Sequence, residues 1–154
     1  DVTWIRDADT AKMWSVLTDY QLGGEAPVTI RACTRPSRTV EFVVAAIDAG
    51  VAVQAHAGNG VIHCHLPDET VDVESAAAVI GPLRDLAVAG GGQVVVERCE
   101  SGWHNKLLMW GAPRVDWPLM NSVRQEFDPD GLLSPGRGID GAMQQLAADG
   151  MVVE

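Results

Sequence analysis

The alternation of strand-like and helix-like apolar runs constrains this chain more than any other feature of its sequence. Apolar and polar residues alternate in four short runs, and two runs with helical spacing separate the first strand from the second and the third from the fourth. The predicted strands are Val28 to Cys33, Val51 to His56, Val61 to Leu66 and Gln93 to Arg98. The order βαββαβ is typical of an α+β ferredoxin-like fold, with one antiparallel sheet and both helices on one face.

Local signals mark the ends of these elements. Ser37 is the expected cap of the first core helix, which ends at Gly50, and the second core helix is predicted over Val73 to Ala89. The first helix is expected to direct one face toward the core, formed by Val40, Val43, Val44 and Ile47. Asn59-Gly60 predicts a two-residue type I′ hairpin turn between the second and third strands, since both residues tolerate positive φ.

Less regular segments flank this core. We divide the chain into an N-terminal segment of residues 1–27, a ferredoxin-like core of residues 28–100 and a C-terminal segment of residues 101–154. The first segment is predicted to hold a strand, Val2 to Ile5, and an Asp-capped helix carrying Ala11, Trp14 and Leu17. The last segment is predicted to hold the helices Leu119 to Phe127 and Ile139 to Leu146, and core-packed tryptophans at 103, 110 and 117.

The charge of the chain narrows the classes of function. With 11 Lys and Arg against 21 Asp and Glu, the formal net charge is -10, which argues against a nucleic-acid or anionic-membrane surface. No apolar run approaches the roughly 20 residues that span a bilayer, and no signal peptide is visible, so we expect a soluble, cytoplasmic protein. Cys33, Cys64 and Cys99 are predicted to be free, buried thiols. The start at Asp1 leads us to expect a processed or excised chain.

Strand parity identifies a polar face on the predicted sheet. The apolar members of each strand must point toward the helices, so the other members share the uncovered face. They are Thr29, Arg31, Gln54, His56, Val61, His63, His65, Gln93, Val95 and Glu97. A two-residue turn places His56 directly opposite His63, and the ferredoxin-like strand order places Arg31 between His63 and Glu97.

Two interpretations of this face remain open. His56, His63 and Glu97 form a ligand set suited to a divalent metal such as zinc, and Arg31 suits a substrate carboxylate. Alternatively, the face is a polar surface buried against another domain, its histidines only hydrogen-bonded and Arg31 paired with Glu97.

Three segments resemble, in the right order, the motifs of the FAD-linked oxidase C-terminal family, which includes D-lactate dehydrogenases and glycolate oxidase subunits. They are His56-Ala57-Gly58-Asn59-Gly60-Val61-Ile62-His63, Gly91-Gly92-Gln93-Val94-Val95-Val96-Glu97 and Phe127-Asp128-Pro129-Asp130-Gly131-Leu132-Leu133-Ser134-Pro135-Gly136-Arg137. The resemblance covers about residues 28–138. Within the family, the chain is most similar to glycolate oxidase E subunits, because Asn59, Ser134 and Arg98 replace the usual Asp, Asn and His.

The resemblance implies roles for individual residues. Metal-containing members of the family bind their metal through the residues at the positions of His56, His63 and Glu97. The closing motif of the family approaches the flavin, which implies FAD contacts for Ser134, Pro135, Gly136 and Arg137. We expect Arg31, His65 and Arg98 on the substrate side. Because Arg98 replaces the histidine thought to assist hydroxyl deprotonation, the resemblance leaves the general base unassigned.

The resemblance implies that this chain is the C-terminal, substrate-side portion of an FAD-dependent oxidase or dehydrogenase that acts on 2-hydroxy acids of the glycolate type. Its expected partners are the FAD-binding domain of the same protein and other oxidase subunits, and we expect the chain alone to bind FAD weakly and to lack turnover. The alternative from another class is a non-catalytic subunit-assembly or small-ligand-binding module that uses the same open sheet face.

Overall fold

The structure is a computed structural model that describes residues 6–20, 22, 25–104 and 106–148. Its strands are β1 (Val28–Cys33), β2 (Ala52–His56), β3 (Val61–His65) and β4 (Gln93–Cys99). Its helices are α1 (Asp7–Asp19), α2 (Thr39–Asp48), α3 (Val73–Ala89), α4 (Trp117–Phe127) and α5 (Ile139–Ala148). The strand predicted over residues 2–5 lies outside the described residues. None of the helices in the described part of the chain is long and apolar enough to cross a membrane.

The core has the predicted ferredoxin-like topology. The strands form one antiparallel sheet in the order β2-β3-β1-β4, and α2 and α3 pack on one face of it. The inward-facing side chains on β1, β3 and β4 are almost fully buried, as parity predicts. They are Val28, Ile30, Ala32, Ile62, Cys64, Val94 and Val96. Burial of this apolar layer is the main source of stability of the fold.

The buried face of α2 is not the predicted one, of whose four residues only Val43 packs partly against the core. Val40 is 73% exposed, and Val44 and Ile47 are exposed as well, whereas Phe42 and Ala46 are fully buried against the sheet. A short 3-10 turn precedes the helix, and no side chain caps it, so the expected Ser37 cap is not formed. Because α2 is apolar on more than one side, helical spacing alone could not select the buried face.

The predicted two-residue hairpin turn is also wrong. Residues 57–60 form a four-residue loop, His56 pairs with Val61, and only Gly60 of the four has a positive φ, of 73°. The Gly60 backbone packs so closely on Thr34 that an added Cβ would lie 1.9 Å from the Thr34 carbonyl oxygen. The register therefore differs from the expected one by two residues, which leaves every side chain on its predicted face.

The second core helix, α3, has the predicted bounds. Asp72 caps it by accepting a hydrogen bond from the Ser75 backbone N–H, at 2.7 Å, and the Ser75 hydroxyl accepts one from the Asp72 N–H. These bonds lower the pKa of Asp72. This reciprocal capping satisfies two backbone donors at the start of the helix.

The C-terminal segment folds back along β4, which is an edge strand. The Val96 N–H donates to the Met109 carbonyl, at 2.8 Å, and the Arg84 guanidinium donates to the Leu108 carbonyl, at 2.7 Å. Beyond this crossing, Trp117 and Ile139 form a second small core with Trp110. The tryptophans at 103, 110 and 117 are half-buried or buried within these cores, as expected. The edge of the sheet is thereby covered rather than left open.

The N-terminal helix α1 differs from its prediction. It begins at Asp7 without a side-chain cap, and Trp14 and Leu17 are exposed. Its carboxyl end reaches the sheet face opposite α2 and α3, where Gln54 donates a hydrogen bond to the Leu17 carbonyl, at 2.8 Å. The face expected to be open is therefore partly covered.

Candidate functional site

Three polar residues meet at the centre of the sheet face opposite α2 and α3, and we call Arg31, His63 and Glu97 the polar cluster. Arg31 and His63 are directly paired across β1 and β3, as predicted. Arg31 Nε lies 2.9 Å from one carboxylate oxygen of Glu97, and His63 Nδ1 lies 3.7 Å from the other. The arrangement places a cation, a carboxylate and an imidazole around one point.

A β-bulge in β4 places both Glu97 and Arg98 beside this point. The register between β1 and β4 shifts between Thr29 and Ile30, so that Ile30 pairs with Val96 and Thr29 with Arg98, leaving Glu97 as the extra residue. Simple alternation would have pointed Arg98 toward the helices. Because of the bulge, Arg98 instead shares the face of Thr29, and it donates a hydrogen bond to the Ala26 carbonyl, at 3.3 Å.

The polar cluster retains unmet hydrogen-bonding capacity. His63 Nδ1 is buried and has no hydrogen-bond partner among the described residues, and the His63 side chain is only 12% exposed. Arg31 Nε is buried too, and its contact with Glu97 is an ion pair without the geometry of a hydrogen bond. Burial lowers the pKa of His63; Glu97 opposes this shift, and His56 and Arg31 reinforce it. Such buried, unmatched polar atoms cost stability, which is typical of a site shaped for a ligand.

His65, two residues further along β3, is in the opposite situation. Its Nε2 donates to the Tyr20 carbonyl, at 2.7 Å, and its Nδ1 bonds the hydroxyl of fully buried Thr29, at 3.1 Å. The Tyr20 ring also packs on the imidazole, with 4.6 Å between ring centroids. Both nitrogens are thus used within the protein, and His65 does not line the cavity described below, so its expected substrate-side role stays a prediction.

The three residues expected to bind a metal are not brought together as a ligand set. His56 is opposite Val61 rather than His63, so its ring meets that of His63 only diagonally, edge to face, with 6.0 Å between centroids. The Glu97 carboxylate is already engaged by Arg31. In the described part of the chain, no group of three or more His, Cys, Asp or Glu side chains is arranged to hold a metal ion. The donor set therefore does not fit zinc as it stands.

A cavity of about 940 Å³ joins this cluster to the C-terminal segment. The sheet contributes Arg31, Glu97 and Arg98, and the other wall is the closing loop, which we define as residues 128–138. Pro135, Gly136 and Arg137 of this loop line the cavity, together with Trp110 and His104. The predicted substrate-side arginines and three of the four predicted flavin-side residues thus share one space.

An arginine holds the closing loop in place. Arg124 of α4 pairs with Asp140 of α5, lies 3.8 Å from Asp128, and donates to the Leu133 carbonyl, at 3.0 Å. Trp110 adds a hydrogen bond from its indole N–H to the Arg137 carbonyl, at 3.1 Å. The loop is therefore fixed at both ends, and its position against the sheet follows from side chains that no strand or helix pattern reveals.

Ser134, the fourth predicted flavin-side residue, adopts a left-handed backbone conformation with φ of 48°. It does not line the cavity, unlike the next three residues. Asn visits this region more readily than Ser does, because its short amide bonds locally to the backbone. The conformation explains why Asn is usual in the motif that this segment resembles, and why Ser134 is strained there.

His104 is the histidine among the cavity residues that the sequence patterns did not predict. It lies in the irregular segment after β4, where neither strand parity nor helical spacing predicts the direction of a side chain. The only sequence signal was its residue type, since just four histidines are present in the chain.

Comparison with known proteins identifies a family. The sequence model of the family described as FAD linked oxidases, C-terminal domain, matches residues 29–137. A comparison with curated proteins found no match. The matched range contains the sheet except for Val28, the first residue of β1, and it contains the polar cluster and the closing loop through Arg137.

Proposed function

Because this chain belongs to the FAD-linked oxidase C-terminal domain family, we propose that it forms the substrate-side wall of an FAD-dependent oxidase or dehydrogenase that acts on small 2-hydroxy acids of the glycolate type. The family implies FAD and an FAD-binding domain in the same protein. The main support for the proposal is that the arginines of the sheet and the closing loop line the same cavity. A cationic wall facing a cofactor-side wall is what oxidation of a carboxylate substrate requires.

Arg31 is the residue that we assign to the substrate carboxylate. Its Nε contacts Glu97, and its side chain lines the cavity and is 40% exposed. A guanidinium presents paired N–H groups that match the two oxygens of a carboxylate. Glu97 fixes the orientation of Arg31, and Arg98 supplies a second cation on the same wall.

The closing loop is the part that we assign to the flavin. The cavity is larger than a small hydroxy acid needs and is within the usual range of ligand pockets, so the space fits a planar ring beside the substrate. When bound, FAD would accept a hydride from the α-carbon of the substrate. The residues of this chain that would hold it are Pro135, Gly136 and Arg137.

A metal is not part of this proposal. A divalent ion such as zinc would have to displace Arg31 from Glu97 and draw His56 toward His63. In the arrangement described, the guanidinium already supplies positive charge at this point.

Kinship to glycolate oxidase E subunits is a further element of the proposal. It is supported by Arg98 and Ser134, which depart from the motifs of catalytic family members. Such a subunit would work beside other oxidase subunits.

The test is anaerobic reduction of the flavin in a protein that joins this domain to its FAD-binding domain. Glycolate or another small 2-hydroxy acid is expected to bleach the flavin absorbance, whereas acetate, which lacks the hydroxyl, is not. Binding of hydroxy acids with no flavin reduction would contradict the proposal and favour a ligand-binding or subunit-assembly module.

A further inference from the structure

Oxidation of a 2-hydroxy acid needs an acceptor for the hydroxyl proton, and the sheet residues that line the cavity offer none that is suited to the task. His63, the imidazole of the polar cluster, does not line the cavity. Arg98 stands where the family resemblance places an assisting histidine, and a guanidinium does not accept a proton near neutral pH. Glu97 is engaged by Arg31 at 2.9 Å. The inference that follows rests on the proposed function, because it concerns the same reaction.

The opposite side of the cavity does offer an imidazole. His104 lines the cavity together with Arg31, Arg98 and Arg137. It is exposed, so its ring is accessible to a molecule that occupies the cavity.

The loop that carries His104 is well anchored. The Trp103 N–H donates to the Glu100 carbonyl, at 3.1 Å, and the N–H groups of Lys106 and Leu107 donate to the Trp103 carbonyl, at 2.9 and 3.0 Å. Trp103 packs against the main core, and Leu107 is buried within it. His104 therefore lies between Trp103 and Leu107, which are both packed on the core. A proton acceptor needs such a defined position to lie within hydrogen-bonding distance of its substrate.

The other titratable groups that line the cavity are less suitable. Burial, reinforced by Glu100, raises the pKa of the Cys99 thiol, so the thiol stays protonated. Glu100 and Glu97 carry carboxylates, which as a class are weaker bases than imidazole, and imidazole is the side chain best matched to proton transfer near neutral pH.

We propose that His104 is the general base of the reaction. The substrate O–H bond breaks and its proton passes to the neutral imidazole, while the C–H bond of the α-carbon breaks and its electron pair leaves as hydride to the flavin. The carbon–oxygen bond becomes a carbonyl, so the hydroxy acid is oxidised by two electrons and the flavin is reduced by two. The imidazolium then returns its proton to solvent.

The experiment compares His104→Ala and His104→Gln with wild type in the complete flavoprotein, and uses Lys106→Gln as the control. Lys106 is exposed in the same loop but does not line the cavity. Both His104 variants are expected to lose about 10²- to 10⁴-fold in the rate of flavin reduction, and to lose the acidic limb of the pH profile. Added imidazole is expected to restore part of the activity of His104→Ala, which a merely structural role would not allow.

Three results can be distinguished. If wild type reduces its flavin and His104→Ala does so at a similar rate, the role of His104 is overturned while the proposed function stands. If wild type leaves its flavin oxidised with every hydroxy acid, the proposed function falls and this inference falls with it. A loss of rate in His104→Ala without imidazole rescue, accompanied by a lowered melting temperature in both His104 variants, would also count against a direct role.

Discussion

His63 and His65 lie on the same face of β3, two residues apart, yet the protein uses them differently. Both nitrogens of His65 are bonded, one to Tyr20 of the N-terminal segment and the other to buried Thr29. His63 Nδ1 is buried but has no hydrogen-bond partner among the described residues, and it lies 3.7 Å from a carboxylate that Arg31 contacts. The imidazole of His65 is therefore satisfied within the protein, whereas the imidazole of His63 is not.

The difference between His63 and His65 shows that strand parity predicts the face on which a side chain lies, but not the contacts that it makes there. The difference arises from the segments that reach each position: Tyr20 closes the end near His65, and Glu97 and the closing loop leave a cavity beside the polar cluster. A protein that leaves buried polar atoms unmatched loses stability that a ligand can restore. We therefore expect substitutions at the two ends to separate stability from activity.

The largest expected effect is a loss of folding stability when His65 is replaced. Leucine is close to histidine in volume, and His65→Leu removes the partner of the fully buried Thr29 hydroxyl and of the Tyr20 carbonyl. We expect the free energy of unfolding to fall by about 2–3 kcal/mol. His63→Leu removes an unmatched nitrogen instead, so its change should stay within about 1 kcal/mol. Urea unfolding of both variants measures their free energies of unfolding. Equal losses of stability in the two variants would contradict the proposed difference between His63 and His65.

A somewhat smaller effect is expected on activity at the cavity end. Arg31→Gln removes a charge-assisted contact to the substrate carboxylate, worth about 2 kcal/mol, so kcat/KM for a 2-hydroxy acid should fall by about 30-fold. Arg38→Gln is the matched control, since Arg38 also pairs with a glutamate, Glu41, at 2.8 Å, but lies away from the cavity. Steady-state kinetics of the two variants decide the matter. A similar loss of kcat/KM in Arg31→Gln and Arg38→Gln would show that the net charge of the protein, rather than a contact in the cavity, is responsible for the loss.

A modest gain in stability is expected within the closing loop. Ser134→Asn places a residue that tolerates positive φ at a backbone position with φ of 48°, and should raise the free energy of unfolding by about 0.5–1 kcal/mol. Ser122→Asn, within α4, is the control and should give no gain, because the backbone there is helical. Chemical denaturation measures both. No gain at position 134 would mean that the loop is not strained.

The smallest expected effect is a pH dependence from His63. Burial lowers its pKa in the folded protein despite the opposing Glu97 carboxylate, so the unfolded chain binds this proton more readily below about pH 6.5. Stability is therefore full above that pH and falls as the pH drops through the folded-state pKa. The difference in unfolding free energy between wild type and His63→Leu should shift against wild type between pH 8 and pH 5. A shift in favour of wild type would contradict the stated direction.

The core of the fold and the membership of the polar cluster could be predicted from the sequence. Period-two alternation is robust because a register shift of two residues, such as the one that moved His56 from His63 to Val61, does not change the face of any side chain. Arg31, His63 and Glu97 were therefore predicted together although the turn was not. The family motifs added the closing loop.

The remaining features depend on tertiary contacts that no local pattern encodes. The bulge that places Arg98 beside Glu97 interrupts the alternation, and α2 is apolar on more than one side, so neither could be assigned by period. His104 and Trp110 lie in irregular turns. The segment that carries them is tied to the rest of the fold by the bond from the Val96 N–H to the Met109 carbonyl and by the bond from the Trp110 indole N–H to the Arg137 carbonyl. The carboxyl end of α1 covers part of the face through Leu17 and Tyr20, which again is a long-range contact.

The most direct test of this account is an NMR titration of the protein with oxalate, a small carboxylate that cannot be oxidised as a hydroxy acid. We predict that the Arg31 Nε–H and the His104 ring signals shift with saturable dependence on oxalate, while the His65 ring signals stay in place. Shifts at His65 with Arg31 and His104 unchanged would contradict it.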